Sequence, residues 1–155
     1  MRGKRAKKRP VTPDPIYKSK VVSRVISIVM ERGKKSLARS IVYGSIKKLN
    51  EDEKEGLKMF EQAVRNVTPQ QEVRSKRVGG ATYQVPMPLK HDRAEALAIR
   101  WIVSAAKSKK GKPMVDRLYE VLNNSYQNTG DAIKKRDDVH RMAEANRAFA
   151  HFARY

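Results

Sequence analysis

RSKRVGGATYQVP, residues 74–86, decides the fold class, because it predicts a β-hairpin in a chain whose other segments show helical periodicity. Gly79 and Gly80 supply the positive φ angles that a tight two-residue turn requires. Val78 and Tyr83, on either side of that turn, favour β-strands. The sequence therefore predicts a single hairpin arm among helices.

One face of this arm, residues 72–88, mixes cationic side chains with apolar and aromatic ones. With the turn at the two glycines, period-two alternation places these residues together: Arg74, Lys76, Val78, Ala81, Tyr83, Val85 and Met87. Such a face suits nucleic acid, because cations meet phosphates while flat or apolar groups contact bases and sugars. The alternative is a solvated hairpin with one half-buried face.

The 155-residue chain carries 35 Lys and Arg against 16 Asp and Glu, a formal net charge of +19. Self-repulsion of this size is normally offset by an acidic partner, and the composition favours nucleic acid. A membrane is not expected, since no apolar run approaches the roughly 18 residues of a spanning helix. The chain has no cysteine, and we expect one domain, residues 1–155, in the cytoplasm.

The N-terminal residues 1–15 form a basic tail in which several prolines block a helix. Its cations are Arg2, Lys4, Arg5, Lys7, Lys8 and Arg9. We expect the tail to be extended and disordered until phosphates order it. A solubilising or nuclear-localisation-like run is the alternative interpretation.

Two loops between predicted helices add further cations. The first contains Gly33, Lys34 and Lys35, and the second contains Lys107, Lys109, Lys110 and Lys112. Acidic residues concentrate elsewhere, at Glu51, Asp52, Glu53 and Glu55. This polarity predicts one surface that faces a polyanion and another that points away from it.

Apolar stripes at helical spacing predict six helices in the rest of the chain. Asp92 and Glu95 are expected to cap the fourth helix, and Pro113 is expected to open the fifth. The last helix is predicted from about Ala132 to Phe152. The predicted fold is mainly α: a bundle of six helices with one protruding β-hairpin arm and a disordered basic tail.

Enzyme motifs are not found in the sequence. The Gly-Lys pairs at 33–34 and 111–112 lack the upstream glycine and the following Ser or Thr of a phosphate-binding P-loop. The three histidines are scattered, and His140 and His151 lie about 16 Å apart along a predicted helix. We therefore expect no enzyme, no cofactor, no metal site and no small-molecule substrate.

Four stretches resemble bacterial small-subunit ribosomal protein seven, in the same order as in that family. They are RVGGATYQVP at 77–86, KKRDDVHRMAEANRAFAHF at 134–152, GKK at 33–35 and LAIRWIVSAA at 97–106. The resemblance implies a helical domain with a hairpin arm, which agrees with the prediction from the residues. It also implies a structural constituent of the small ribosomal subunit.

In function, the resemblance implies a primary binder of the 3′ major domain of small-subunit rRNA that nucleates assembly of the head. Members of the family lie at the subunit interface near the exit-site tRNA and the mRNA exit path. They contact the ninth and eleventh small-subunit ribosomal proteins, and some repress translation of their own operon message.

The resemblance further implies residue roles. Contact with rRNA is expected from the tail, both basic loops and the arm: Arg2, Lys4, Arg5, Lys7, Lys8, Arg9, Lys34, Lys35, Arg74, Lys76, Arg77, Tyr83, Lys107, Lys109, Lys110, Lys112 and Met114. Proximity to exit-site tRNA and mRNA is expected for Lys76, Arg77, Gly79, Gly80, Arg141 and Arg147. The chain departs from the family's usual acidic and arginine-bearing run at Met87, Pro88, Leu89 and Lys90.

Two other classes stay open on the residues alone. An architectural DNA-binding protein also joins a basic helical body to β-arms, although Gly79, Gly80 and Ala81 offer no apolar wedge at the arm tip. An RNA-folding chaperone without a fixed site requires only the positive charge. Competition between different nucleic acids distinguishes these classes from a specific rRNA binder.

Overall fold

The computed structural model describes Gly3, Ala6 and residues 9–154, and it confirms a mainly helical protein with one antiparallel hairpin. The elements in chain order are α1 (Lys20–Val29), α2 (Lys35–Leu49), α3 (Glu53–Val67), β1 (Gln71–Val78), β2 (Ala81–Pro88), α4 (His91–Ser108), α5 (Met114–Tyr126), α6 (Asp131–Ala145) and a C-terminal 3₁₀ helix (Arg147–Arg154). The tail cations Arg2, Lys4, Arg5, Lys7 and Lys8 lie outside the described residues.

The hairpin has the predicted turn and register. Val78 lies opposite Ala81 and Lys76 lies opposite Tyr83, so the turn contains only the two glycines. Gly79 has φ +57° and Gly80 has φ +91°, both in the left-handed region that glycine adopts without strain. This register places the cations, the aromatic ring and the apolar side chains on one face of the hairpin, as predicted.

The hydrophobic core lies among α1 to α6, and its largest fully buried side chains include those of Ile26, Phe60 and Leu118. α3 approaches α2 so closely that a Cβ atom added at Gly56 would lie 3.0 Å from the carbonyl oxygen of Ile46. α6 packs beside α4 and against the hairpin. The bundle thus forms a packed base from which the hairpin projects.

The start of α4 differs from the sequence prediction. Lys90 is its N-cap residue, so Asp92 lies in the first turn and does not cap the helix. Arg24 of α1 binds both predicted capping carboxylates, with Nη2 3.3 Å from Asp92 Oδ1 and Nη1 2.8 Å from Glu95 Oε1. The capping prediction is wrong because these acids instead tie α4 to α1. Pro113 was predicted to open α5; it is the N-cap residue, and the helix begins one position later, at Met114.

The last helix is shorter than predicted. α6 ends at Ala145, where the Asn146 side chain donates to the Met142 carbonyl oxygen at 2.7 Å. The chain then continues as a 3₁₀ helix, in which residues three apart lie on one side. This spacing aligns Phe149 and Phe152, whose ring centroids lie 5.2 and 5.0 Å from that of Tyr83. The 3₁₀ helix therefore packs both phenylalanine rings against the arm.

Candidate nucleic-acid interface

The two basic loops predicted from the sequence lie at the same end of the bundle. The segment between α1 and α2 and the segment from the end of α4 into α5 line one cleft of about 400 Å³. Arg32 and Lys34 line it from the first segment, and Lys107 and Met114 from the second. Leu37, 56% exposed, adds an apolar surface beside these cations. The cleft thus combines charge with apolar contact area.

The charge at the start of α2 opposes the helix dipole. Its N-cap residue is Lys34, its first residue is Lys35, and its first turn contains no acid. The positive end of a helix dipole favours anions, so cations at this position lower the stability of the free protein. An anionic partner bound at this position would interact favourably both with the lysines and with the helix dipole.

The acidic loop lies at the opposite end of α2, about 22 Å away for a helix of 15 residues. Asp52 caps α3 by accepting from the Lys54 amide at 3.0 Å, and Glu53 and Glu55 occupy the first turn. These acids stabilise a helix start in the ordinary way. The acidic loop therefore lies at the opposite end of α2 from the basic loop, although Lys47 and Lys48 occupy the last turn of the helix itself.

Some predicted RNA-binding cations already have intramolecular partners. Lys107 pairs with Glu31, whereas Lys109 and Lys112 pair with Glu120 at 2.7 and 3.6 Å. A hydrogen bond from Lys107 holds the pKa of Glu31 below its ordinary value, and one from Lys109 does the same for the pKa of Glu120. These contacts are at the surface, where a polyanion competes with them readily.

Three other cations in these loops have no such partner within the described residues: Lys34, Lys35 and Lys110. All three are exposed. Their charges are therefore available to an external anion without the loss of an ion pair within the described chain. Arg32 is exposed beside them, and the sequence analysis did not select it.

The mixed face of the hairpin is partly covered by the C-terminal 3₁₀ helix. Tyr83 packs on the two phenylalanines, and Lys76 Nζ donates to the Phe152 carbonyl oxygen at 2.9 Å. Val85, on the same face, is 1% exposed. This face is therefore half-buried, as in the alternative interpretation of the hairpin. Arg77, on the other face, is exposed.

The base of the arm contains a cluster that the sequence analysis missed. Glu72, which is 9% exposed, accepts from Arg74 Nε at 2.6 Å and from Arg93 Nε at 2.9 Å, and Arg93 Nη2 lies 2.7 Å from its second oxygen. Burial alone would raise the pKa of Glu72, but hydrogen bonds from both arginines hold that pKa below its ordinary value. No signal along the chain links residues 72 and 93, since they belong to different elements.

The base of the N-terminal segment is fixed by Asp14. Its buried carboxylate accepts from the backbone amides of Ile16 and Tyr17 and from Tyr43 Oη at 2.8 Å. Burial and this hydrogen bond raise the pKa of Tyr43 to about 12. The segment that carries the exposed Arg9 is therefore anchored to α2.

The residues expected near exit-site tRNA and mRNA occupy two places. Gly79 and Gly80 form the exposed tip of the arm. Arg141 and Arg147 are exposed near the C-terminus, and each pairs with an acid three residues earlier, Asp138 or Glu144. Arg147 also lines a groove with residues at the base of the hairpin.

Other kinds of site receive no support from the described part of the chain. No group of three or more metal-ligating side chains occurs there. His140 Nε2 accepts from the Gln70 amide at 3.2 Å and so serves the packing of α6 on the hairpin. Among the described helices, none is long and apolar enough to cross a bilayer.

A helical base with a cationic end and a projecting hairpin defines a basic protein suited to bind nucleic acid. Comparison with known families is more specific: residues 1–147 match the family model of ribosomal protein S7p/S5e. The chain belongs to this family. Relatives named small ribosomal subunit protein uS7 agree with the assignment. Those from Fervidobacterium nodosum and Thermosipho africanus are each 57% identical over 153 residues, which cover 98% of this chain and 99% of the relative.

A relative of the same name from Chloroflexus aggregans is 55% identical over 148 residues, which cover 95% of this chain and 94% of the relative. The family resemblance stated from the sequence is thus confirmed. The protein is a structural, RNA-binding component of the small ribosomal subunit, and family membership confirms that it is not an enzyme. Its place is in the ribosome, and hence in the cytoplasm, as predicted.

The Glu72 cluster predicts a specific pH dependence of stability. Because the pKa of Glu72 is lowered in the folded state, its charge stabilises the fold above the pKa of the unfolded chain, and this contribution is lost as the pH falls through the folded-state value. We expect Glu72→Gln to lower the free energy of unfolding at pH 7 by about 1–3 kcal/mol. Thermal unfolding followed by circular dichroism should show that the difference from wild type shrinks below about pH 4.

Glu51→Gln is the matched control for this experiment, because Glu51 is exposed and has no ion pair within the described residues. Its unfolding curve should follow that of the wild type at each pH. A stability deficit of Glu72→Gln that stays constant from pH 7 to pH 3 would show that the charge of Glu72 is not what stabilises the arm.

Proposed function

We propose that the protein is a primary binder of the 3′ major domain of small-subunit rRNA and that it nucleates assembly of the head. The observation that carries this proposal is the pair of lysines at the start of α2, unpaired within the described residues and opposed by the helix dipole. Cations at such a position are explained by an anionic partner that binds there. The second basic loop at the same cleft extends the surface.

Affinity in this proposal comes from phosphate neutralisation, and specificity comes from the shape of folded RNA. A-form duplexes hide their base edges in a deep, narrow groove, so a protein reads them through backbone geometry, 2′-hydroxyls and unpaired bases. The packed helical bundle fixes where the two basic loops lie relative to each other. The arm and the N-terminal segment extend the contact beyond the bundle.

The arm and the C-terminal segment support the finer placement. An exposed glycine turn at the arm tip lets another backbone approach closely, which suits the neighbourhood of the exit-site tRNA and the mRNA exit path. Arg141 and Arg147 provide exposed cations for the same purpose. The ninth and eleventh small-subunit ribosomal proteins are the proposed protein neighbours, on the strength of the family. The same rRNA-binding surface would let the protein repress translation of its own operon message by binding a similarly folded segment of that message.

The proposed specificity is tested by binding to the isolated 3′ major domain of small-subunit rRNA at about 0.2 M salt, which suppresses non-specific binding. We expect tight binding that survives an excess of unrelated structured RNA and of duplex DNA, measured by filter binding or fluorescence anisotropy. Competition by unrelated RNA would favour the chaperone class. Competition by duplex DNA would favour the architectural class.

The cationic end of the bundle predicts a large loss of affinity in one triple variant. The variant replaces by alanine the three loop lysines that have no ion pair within the described residues, Lys34, Lys35 and Lys110. We expect affinity for the 3′ major domain to fall by about tenfold or more, and the slope of log K against log salt to shrink by about two to three. The control removes three exposed lysines near the acidic end: Lys47, Lys54 and Lys58.

Both triple variants lower the net charge equally, so a field effect of the whole protein would weaken their binding to the same degree. Equal losses would contradict a localised interface at the cleft. Circular dichroism should show unchanged helical content in both variants, because all six side chains are exposed. Removal of the lysines at the start of α2 should also raise the melting temperature slightly, since these cations oppose the dipole.

Arg77→Ala tests the arm without disturbing its folding. Arg74 and Lys76 are engaged by Glu72 and by the Phe152 carbonyl oxygen, so their removal would also alter the arm, whereas Arg77 is exposed. Loss of a single phosphate contact should weaken binding several-fold and reduce the salt slope by about one. Arg65→Ala, at an exposed position on α3, is the control with the same change of charge. Equal affinity of the two variants would place Arg77 outside the interface.

A further inference from the structure

An acidic residue lies at the centre of the cationic arm's base. Glu72 is on the same strand face as Arg74, two residues away, and α4 brings Arg93 to it from the other side. The Nε atoms of both arginines lie within 2.9 Å of one oxygen, Oε1, so their guanidinium groups are close neighbours. Arg93 also contacts the second oxygen, with Nε at 2.9 Å and Nη2 at 2.7 Å.

The carboxylate is buried but the two guanidinium groups are not. The Glu72 side chain is 12% exposed, whereas those of Arg74 and Arg93 are 50% and 48% exposed. A guanidinium has five N–H donors in a rigid fork, and the described contacts use one of them in Arg74 and two in Arg93. The remaining donors belong to half-exposed side chains, and the cluster keeps a net charge of +1.

We propose that Arg74 and Arg93 together bind a phosphate of the RNA backbone, and that Glu72 is the positioning residue that holds their guanidinium groups side by side. The inference rests on the proposed rRNA-binding function and adds to it a residue, Arg93, and a role for an acid within the interface. Two adjacent guanidinium groups repel each other in the absence of an anion, and the buried carboxylate offsets that repulsion in the free protein.

The geometry suits a phosphodiester in two respects. Arginine binds phosphate through paired, parallel N–H donors, which a point-like ammonium does not offer. The two side chains are also ordered before RNA arrives, so binding loses less conformational entropy than it would with free arginines. The cluster connects the arm to α4, which keeps the phosphate site in register with the helical base.

Glu72→Gln tests the positioning role, because the two explanations predict opposite changes in RNA affinity. Neutralising an acid raises the net charge by one, so simple electrostatics expects tighter binding to RNA. Positioning expects weaker binding, by about tenfold, because two arginines are released. Glu51→Gln, with the same change of charge at an exposed site, should bind slightly more tightly than wild type. Hydrogen exchange of the β1–β2 amides reports whether the hairpin remains formed.

Arg93→Lys tests whether Arg93 binds phosphate or only links α4 to the arm. Lysine keeps the positive charge and can still pair with Glu72, but it lacks the paired N–H donors of a guanidinium. We expect Arg93→Lys to bind RNA more weakly while hydrogen-exchange protection of the hairpin amides is unchanged. When Arg93→Lys is already present, adding Glu72→Gln should reduce RNA affinity much less than it does in the wild-type protein. The Nε–H resonances of Arg74 and Arg93, assigned with lysine variants, should shift when the 3′ major domain is added to the wild-type protein.

The outcomes distinguish this inference from the proposed function. If wild type fails to bind the 3′ major domain selectively, the proposed function fails. If wild type binds and Glu72→Gln binds as tightly as Glu51→Gln, with the Nε–H signals unmoved, only the paired phosphate site is overturned. Weaker binding that is accompanied by loss of hairpin protection, with those signals unmoved in wild type, would also overturn it and assign Glu72 to folding alone.

Discussion

Repulsion among 35 cations is the constraint to which the rest of the structure responds, since only 16 acids are present to offset it. Many of those acids lie where elements must be held together. Glu95 and Asp92 tie α4 to α1 through Arg24, and Glu72 ties the arm to α4 through Arg93. These ion pairs offset positive charge at the same places where they join one element to another.

The cations left without such partners then become informative. At the start of α2, charge and helix dipole are in conflict, whereas the start of α3 has the acids that a helix start ordinarily favours. The same protein thus contains a stabilised and a destabilised helix start, only 15 helical residues apart. The conflict at the start of α2, where the second basic loop lines the same cleft, favours a local role in binding over a general role in solubility.

Local chemistry made most of the fold predictable. The glycine pair determined the turn, and alternation determined which residues share a strand face, because both depend only on neighbours in sequence. The C-terminal 3₁₀ helix was not predictable, since it depends on rings that meet Tyr83 from more than sixty residues away. The cap of α4 was misassigned for a related reason: the carboxylates that suited a cap were bound by Arg24.

The candidate site shows the same division. Composition indicated which segments are basic, and the structure brings the two basic loops to one cleft. Sequence order could not separate lysines already paired with Glu31 or Glu120 from the exposed Lys34, Lys35 and Lys110, because these pairs join different elements.

Arg93 was missed because its partner, Glu72, lies on a strand and not on its own helix. A charge that is free and a charge that is oriented differ in what they contribute to recognition. Free lysines add affinity for any polyanion, whereas arginines held by a buried carboxylate present their N–H donors in a defined orientation. The proposed selection of one folded RNA draws on both kinds, which lie at opposite ends of α4: the lysines near the cleft at its C-terminal end, and the arginines beside the arm at its N-terminal end.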